Sequence, residues 1–90
     1  AGYLLESNPD TVRGPDLSYV RMDRIPATGV PKAFWRLAPD VAIECVSPNE
    51  SASEVREKVR YYLNAGTLLV WLIYPNTREV VVHSPDGSSQ

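Results

Sequence analysis

The fold is decided by residues 39–74, which read PDVAIECVSPNESASEVREKVRYYLNAGTLLVWLIY. Residues 39–47 alternate between two kinds of side chain, as a β-strand with two different faces does. Ser51 and Glu54 then match a capping box, which predicts the start of a helix. Residues 67–74 form a continuous apolar run, typical of a strand covered on both faces. The stretch therefore predicts a strand–helix–strand unit whose two strands run parallel.

The predicted helix carries one apolar stripe. Its members recur at helical spacing and are Val55, Val59, Tyr62, Leu63 and Gly66. Gly66 also stands where a helix commonly ends in a left-handed residue. A single stripe predicts a helix that covers one face of a sheet.

Turn signals outside this unit predict further antiparallel strands. Residues 8–10, Asn-Pro-Asp, separate a short strand at 2–6 from a longer one at 11–21. Residues 75–78 form a turn before a last strand at 79–83. The predicted fold class is α/β, with α+β character in so short a chain. We expect a mixed sheet of about five strands with one main crossover helix.

Length and composition exclude several classes of protein. Ninety residues allow one domain, assigned to 1–87, with 88–90 as a disordered tail. A net charge of −2 excludes a strongly basic nucleic-acid coat, and the single Cys45 excludes a disulfide framework. The longest apolar run, 68–74, is too short for a membrane helix, which needs about 20 residues. Residues 1–6 do not resemble a secretory signal, so we expect a cytoplasmic location without a membrane partner.

Glu44 is the first candidate for chemistry. It lies mid-strand, where a charge is costly unless it is paired or bound to metal. Asp40 shares its face but lies roughly 13 Å away, too far to share one ion. Asp16, which we place within the strand at 11–21, is the candidate second carboxylate, at about 5 Å from the first. Two carboxylates suit Mg²⁺ or Mn²⁺. The alternative is that both acids are exposed on a solvent-facing strand.

Three further expectations concern packing. Val41, Ile43 and Cys45 form the apolar face of their strand, so we expect that face to pack and Cys45 to be inert. Tyr62 and Trp71 are expected in the core.

Lys58 is the candidate cation. It borders the apolar stripe, so its stem can run along the apolar surface and bring the ammonium to the Glu44 side. The alternative is an exposed lysine paired with Glu54 four residues earlier. Arg56 and Arg60 are expected to face solvent.

Four stretches together resemble the Uma-two family, a group of bacterial restriction-endonuclease-like proteins in the PD-(D/E)XK nuclease superfamily. They are PDLSYV at 15–20, APDVAIECVSP at 38–48, EK at 57–58 with Tyr62 and Gly66, and VWLIYP at 70–75. The similarity covers nearly the whole chain in the family's order. It implies a restriction-endonuclease-like core and metal-dependent cleavage of phosphodiester bonds in nucleic acid, with DNA as the expected substrate.

The resemblance also implies roles for individual residues. Asp16 and Glu44 match the two acidic positions of the superfamily, so they would hold Mg²⁺ or Mn²⁺ and act in catalysis. The superfamily lysine should come two residues after Glu44, where Val46 stands instead. In the Uma-two pattern this lysine comes from the next helix, which makes Lys58 the third catalytic residue. The family pattern also includes an N-terminal region without a counterpart in these 90 residues, so the resemblance implies a chain that is N-terminally truncated relative to the family.

The alternative function is a catalytically inactive, nuclease-like binding module or fragment that oligomerises. With a helix on only one face, the apolar strand at 68–73 needs cover on its other face. We therefore expect a homodimer or a higher homo-oligomer under either function.

Overall fold

The computed structural model describes residues 2–6, 11–29 and 37–87. In chain order the elements are β1 (Tyr3–Glu6), β2 (Thr11–Arg13), β3 (Leu17–Tyr19), a 3₁₀ turn (Met22–Arg24), β4 (Val41–Cys45), α1 (Ala52–Asn64), β5 (Leu69–Tyr74) and β6 (Glu79–His83). Two predicted features lie outside the described residues: the turn at 8–10 and the tail at 88–90.

The main sheet has four strands in the order β3-β4-β5-β6. The two central strands, β4 and β5, run parallel, with Val41 opposite Leu69 and Cys45 opposite Ile73. The outer strands β3 and β6 are antiparallel to their neighbours. The mixed sheet with one crossover helix is therefore confirmed, and β4, α1 and β5 are the unit that residues 39–74 predict.

The predicted strand at 11–21 is wrong in one respect, because it is two strands in two different sheets. β2 pairs with β1 in a separate two-stranded sheet, whereas β3 joins the main sheet beside β4. Gly14 and Pro15 lie between them outside any strand. Proline has no N–H to donate to a ladder, and glycine weakens a strand interior, so this pair ends one strand before the other begins. The described chain thus has six strands rather than five.

Helix α1 begins and ends as its sequence predicts. The Ser51 hydroxyl accepts a hydrogen bond from Glu54 N at 3.1 Å, and the Glu54 carboxylate accepts one from Ser51 N at 3.3 Å. At the other end Gly66 has a φ of +111°, and its N–H donates to Leu63 O at 3.1 Å. No helix in the described part of the chain has the length and hydrophobicity that a membrane crossing requires.

Helix α1 packs on the face of the sheet that carries Ala42, Val70 and Leu72. Together with Val55, Val59 and Tyr62 these residues form the central part of the core, to which β1 adds Tyr3 and Leu5. The core position of Tyr62 is confirmed, since this side chain is fully buried. The expected packed face of β4 is wrong, because Cys45 is exposed and Val41 and Ile43 are only half-buried.

The opposite face of the main sheet is apolar and accessible. Leu17 is opposite Ile43, and Ile43 is opposite Trp71, so the three side chains share this face. We call it the open face and define it by Leu17, Tyr19, Trp71 and Val80, which are 65%, 58%, 38% and 50% exposed. The core position expected for Trp71 is therefore wrong, because the helix covers only the other side of β5.

Asp40 anchors the connection that leads from β3 to β4. Its carboxylate accepts a hydrogen bond from Arg21 N at 2.7 Å and pairs with the Arg24 guanidinium at 2.6 Å. Burial raises the pKa of Asp40, but the hydrogen bonds and charges of Arg21 and Arg24 outweigh burial and hold that pKa below its ordinary value. Asp40 thus has a structural role.

Candidate functional site

Glu44 is a buried carboxylate in the middle of β4. Its residue exposure is 7%, and its partner on β5, Leu72, is 2% exposed. It lies on the packed face beside Ala42, where water cannot solvate it fully. A carboxylate at this depth is costly unless other groups compensate its charge. The alternative of a solvent-facing Glu44 is therefore wrong.

Two residues of α1 supply that compensation. The Tyr62 hydroxyl donates a hydrogen bond to Glu44 Oε1 at 3.3 Å. The Lys58 ammonium lies 3.8 Å from Glu44 Oε2. Lys58 and Tyr62 are four residues apart, so they lie on the same side of the helix, which here faces the sheet. The predicted placement of the Lys58 ammonium on the Glu44 side is thus what the structure shows.

The alternative for Lys58, an exposed side chain paired with Glu54, is wrong. Its ion pairs are with Glu50 Oε2 at 2.9 Å and Glu44 Oε2 at 3.8 Å, whereas Glu54 closes the capping box. Its side chain is only 22% exposed, so the stem is largely covered while the ammonium lies between two carboxylates.

Asp16 lies at the start of β3 rather than within a strand. It occupies a bend immediately before Leu17 and is exposed, which corrects its expected mid-strand position. Because Leu17 is opposite Ile43, continuing the register places Asp16 opposite Glu44. Asp16 Oδ2 accepts a hydrogen bond from Cys45 N at 2.7 Å, which ties this bend to the end of β4. The separation of about 5 Å between the two carboxylates, which a shared cation needs, stays a prediction.

The two carboxylates beside Lys58 differ in their affinity for protons. Burial raises the pKa of Glu44, and the negative charge of Asp16 raises it further, while Lys58 and the Tyr62 hydroxyl only partly oppose this shift. The hydrogen bond from Ser47 N lowers the pKa of Glu50, and the hydrogen bond from Lys58 lowers it further. Glu50 is therefore the stronger acid of the two.

Two contributors to the site were missed by sequence reasoning. Glu50 comes from the turn between β4 and α1, eight residues before Lys58, and no helical or strand periodicity links these two positions. The local signal for Glu50 is its position three residues after Ser47, because Glu50 Oε1 accepts a hydrogen bond from Ser47 N at 2.9 Å. The sequence predicts only a core position for Tyr62, because its apolar ring fits the helical stripe and the pattern gives no partner for its hydroxyl.

The donor chemistry of this site fits a small divalent cation. Asp16 and Glu44 each use one carboxylate oxygen in a hydrogen bond from the protein, so the second oxygen of each is the candidate ligand. Within the part of the chain that the structure describes, no group of three or more His, Cys, Asp or Glu residues is arranged to hold a metal. A pair of carboxylates with the other positions filled by water is the kind of site that Mg²⁺ accepts.

Three other polar side chains line a cleft that Glu50 also borders. Arg56 and Arg60 are exposed, and Arg60 pairs with Glu57 at 3.9 Å and lies over the Tyr61 ring at 4.7 Å. His83 is half-buried and lines the cleft between α1 and β6. The expectation that the two arginines face solvent agrees with these positions.

Comparison with known proteins finds a family match and similarity to solved structures. Residues 1–90 match the Uma2 family, described as "Putative restriction endonuclease". Among solved structures, the chain is similar to "a putative nuclease belonging to DUF820 from Anabaena variabilis ATCC 29413", with 34% sequence identity and a TM-score of 0.73. The match covers 90% of this chain and 45% of that protein, so the chain spans less than half of its length. No curated protein matches the chain.

Proposed function

Because the chain belongs to the Uma2 family, we propose that it forms part of a metal-dependent endonuclease that hydrolyses phosphodiester bonds in nucleic acid. The observation that supports the proposal is the placement of three groups from separate parts of the chain. Glu44 from β4 has Asp16 opposite it in the register and the Lys58 ammonium 3.8 Å away. DNA is the proposed substrate, and the cytoplasm the proposed location.

Asp16 and Glu44 are the proposed ligands of Mg²⁺ or Mn²⁺. A bound divalent cation would polarise the scissile phosphate and make water a better nucleophile. Water would add to phosphorus, one ester P–O bond would break, and the released oxygen would leave as a hydroxyl. The role of the two residues is to hold carboxylate oxygens in fixed positions, Glu44 through Tyr62 and Asp16 through Cys45 N.

Lys58 is the proposed electrostatic catalyst. A phosphodiester gains negative charge as water adds, and an ammonium aimed at that charge lowers the barrier. The ion pairs of the Lys58 ammonium with the two carboxylates place it beside the proposed metal ligand, where it could neutralise charge on the phosphate. Lys58 would thus supply from α1 the positive charge that Val46 cannot supply from the end of β4.

The test compares two variants of one helix. Lys58→Met keeps the apolar stem but removes the charge, and we expect the cleavage rate to fall by about 10²–10³-fold. Arg56→Met is the matched control, since it removes an exposed positive charge about 160° around the same helix. Single-turnover cleavage of labelled DNA and RNA, with Mg²⁺ or Mn²⁺, measures both rates.

Two outcomes would contradict the proposal. Equal losses in both variants would mean that the helix binds phosphate diffusely rather than presenting a catalytic lysine. A purified protein that cuts neither DNA nor RNA with either metal would contradict the proposed nuclease activity.

The open face supports a second candidate function, a nuclease-like module that oligomerises without catalysis. Leu17, Tyr19 and Val80 are each at least half exposed and lie on one sheet face with Trp71. Such a surface is typical of a protein interface. Association of two copies through this face is compatible with either function, because the site around Glu44 lies on the other side of the sheet. Loss of Mn²⁺ binding in Glu44→Gln would favour the nuclease, whereas a protein that associates but binds no metal would favour the module.

A further inference from the structure

Glu50 is held rigidly at the turn that joins β4 to α1. Its Oε1 accepts a hydrogen bond from Ser47 N at 2.9 Å, and its own N–H donates to Ser47 O at 3.0 Å. Asn49 N donates to the Ser47 hydroxyl at 3.2 Å, which tightens the same turn. With its backbone and one carboxylate oxygen both tied to Ser47, Glu50 directs its second oxygen into a fixed position.

That second oxygen contacts the Lys58 ammonium. The distance from Lys58 Nζ to Glu50 Oε2 is 2.9 Å, a direct charge-assisted hydrogen bond. The distance from the same nitrogen to Glu44 Oε2 is 3.8 Å, beyond direct hydrogen-bond contact. Lys58 is therefore shared unequally between the two carboxylates, and the closer one is not a proposed metal ligand.

We propose that Glu50 is a positioning residue, which holds the Lys58 ammonium beside Glu44 but out of direct contact with its carboxylate. This inference rests on the proposed function, in which Glu44 binds a cation. An ammonium in direct contact with Glu44 would compete with that cation for the same oxygen. An ammonium drawn away by Glu50 leaves the oxygen available and still lies close enough to face the reacting phosphate.

Removing the Glu50 charge should change the position of Lys58. In Glu50→Gln the amide oxygen can still accept from Ser47 N, so the turn is kept, but the amide nitrogen cannot accept from Lys58. Among the residues that the structure describes, the other carboxylate paired with Lys58 is Glu44, 0.9 Å farther from the ammonium than Glu50 is now (3.8 against 2.9 Å). We expect Lys58 to close on Glu44 and displace the cation.

The experiment is a double-variant cycle on metal binding without nucleic acid. Mn²⁺ affinity is measured by electron paramagnetic resonance for the wild type, Glu50→Gln, Lys58→Met and the double variant. We expect Glu50→Gln to weaken Mn²⁺ binding by about 10–100-fold, as loss of an outer-sphere partner of a metal ligand does. In the Lys58→Met background the same change should alter the affinity by less than about twofold, because the competing ammonium is gone.

Two controls make the cycle decisive. Glu57→Gln removes an exposed carboxylate from α1, next to Lys58 in sequence. It therefore measures how the loss of one negative charge by itself changes the Mn²⁺ affinity. Glu50→Asp keeps the charge on a shorter arm and should restore part of the Mn²⁺ affinity. Thermal melting of each variant shows whether the fold is intact. Weak Mn²⁺ binding is attributed to the site only in a variant that still melts cooperatively.

The outcomes separate this inference from the proposed function. An equal loss of Mn²⁺ affinity from Glu50→Gln in both backgrounds would overturn the inference, since Glu50 would then act without Lys58. If Glu44→Gln still abolished Mn²⁺ binding, the proposed metal site would stand. If the wild type and Glu44→Gln bound Mn²⁺ equally, the metal site would fail and the inference with it.

Discussion

Replacing Asp40 by asparagine tests how strongly one buried carboxylate anchors the chain before β4. Asp40 is 6% exposed and makes two charge-assisted contacts, with Arg21 N at 2.7 Å and the Arg24 guanidinium at 2.6 Å. Asp40→Asn keeps the size of the side chain and one acceptor oxygen but removes the charge. Asp23→Asn is the matched control, because Asp23 pairs with Arg21 at 2.7 Å on the surface, where both side chains are more than half exposed.

The loss in the free energy of unfolding depends on how deeply each ion pair is buried. A hydrogen bond to a charged group contributes about 1.5–3 kcal/mol and a neutral one about 1 kcal/mol, so weakening two such bonds costs about 1–4 kcal/mol. Because the Arg24 side chain is 33% exposed and can regain water when its partner is neutral, we expect the lower part of that range, about 2 kcal/mol. The exposed Asp23 pair should contribute no more than about 0.5 kcal/mol.

Thermal unfolding measures both variants. A loss of about 2 kcal/mol should lower the Tm of Asp40→Asn by about 8–16 °C, whereas Asp23→Asn should change it by less than about 4 °C. The pKa of Asp40 is lower in the folded state than in the unfolded state, so its stabilisation is complete above about pH 4 and is lost as pH falls through the folded pKa. The difference in Tm between the wild type and Asp40→Asn should therefore become smaller in acid. Equal Tm changes for the two variants at neutral pH would refute the reasoning.

Three further predictions concern the helix, the site and the open face. Gly66→Ala should lower the free energy of unfolding by about 1 kcal/mol in urea titrations, because φ is +111° and an added Cβ meets no atom within 4 Å, so backbone strain acts alone. The raised pKa of Glu44 should appear in the metal-free protein as a carboxyl titration above the ordinary glutamate value of 4.5, followed by NMR. Tyr62→Phe should raise that pKa further, since the lost hydrogen bond now lowers it. Light scattering should show a dimer for the wild type and a monomer for Trp71→Glu, and a wild-type monomer at high concentration would contradict a role of the open face in association.

Local signals in the sequence were enough to predict the unit at the centre of the fold. The capping box of Ser51 and Glu54 and the left-handed Gly66 set the ends of α1, and each depends only on neighbouring residues. Alternation along 39–47 and the apolar run at 67–74 predicted β4 and β5 for the same reason. The end of one strand and the start of the next were harder to predict, since the strand predicted at 11–21 is divided at Gly14 and Pro15.

The candidate site was predicted in part. Glu44 stood out because a charge in the middle of a strand needs compensation, and Lys58 because it borders the helical stripe. Glu50 did not stand out, since its contact with Lys58 depends on how the turn after β4 folds back over the start of α1. The catalytic roles of Asp16, Glu44 and Lys58 stay predictions, to be tested by metal binding and cleavage.

The sequence by itself determined the period of β4, α1 and β5 and the two ends of α1, because these depend on contacts between residues a few positions apart. Only the tertiary structure decided which face of β4 is buried. Alternation separates Glu44 from Cys45 but cannot say which of them faces α1, and the apolar character of Val41 and Ile43 suggested the wrong side. The helix covers the face with the acid because its apolar stripe packs on Ala42, Val70 and Leu72. Lys58 and Tyr62 partly offset the burial of Glu44, and this compensation comes from residues far away in sequence.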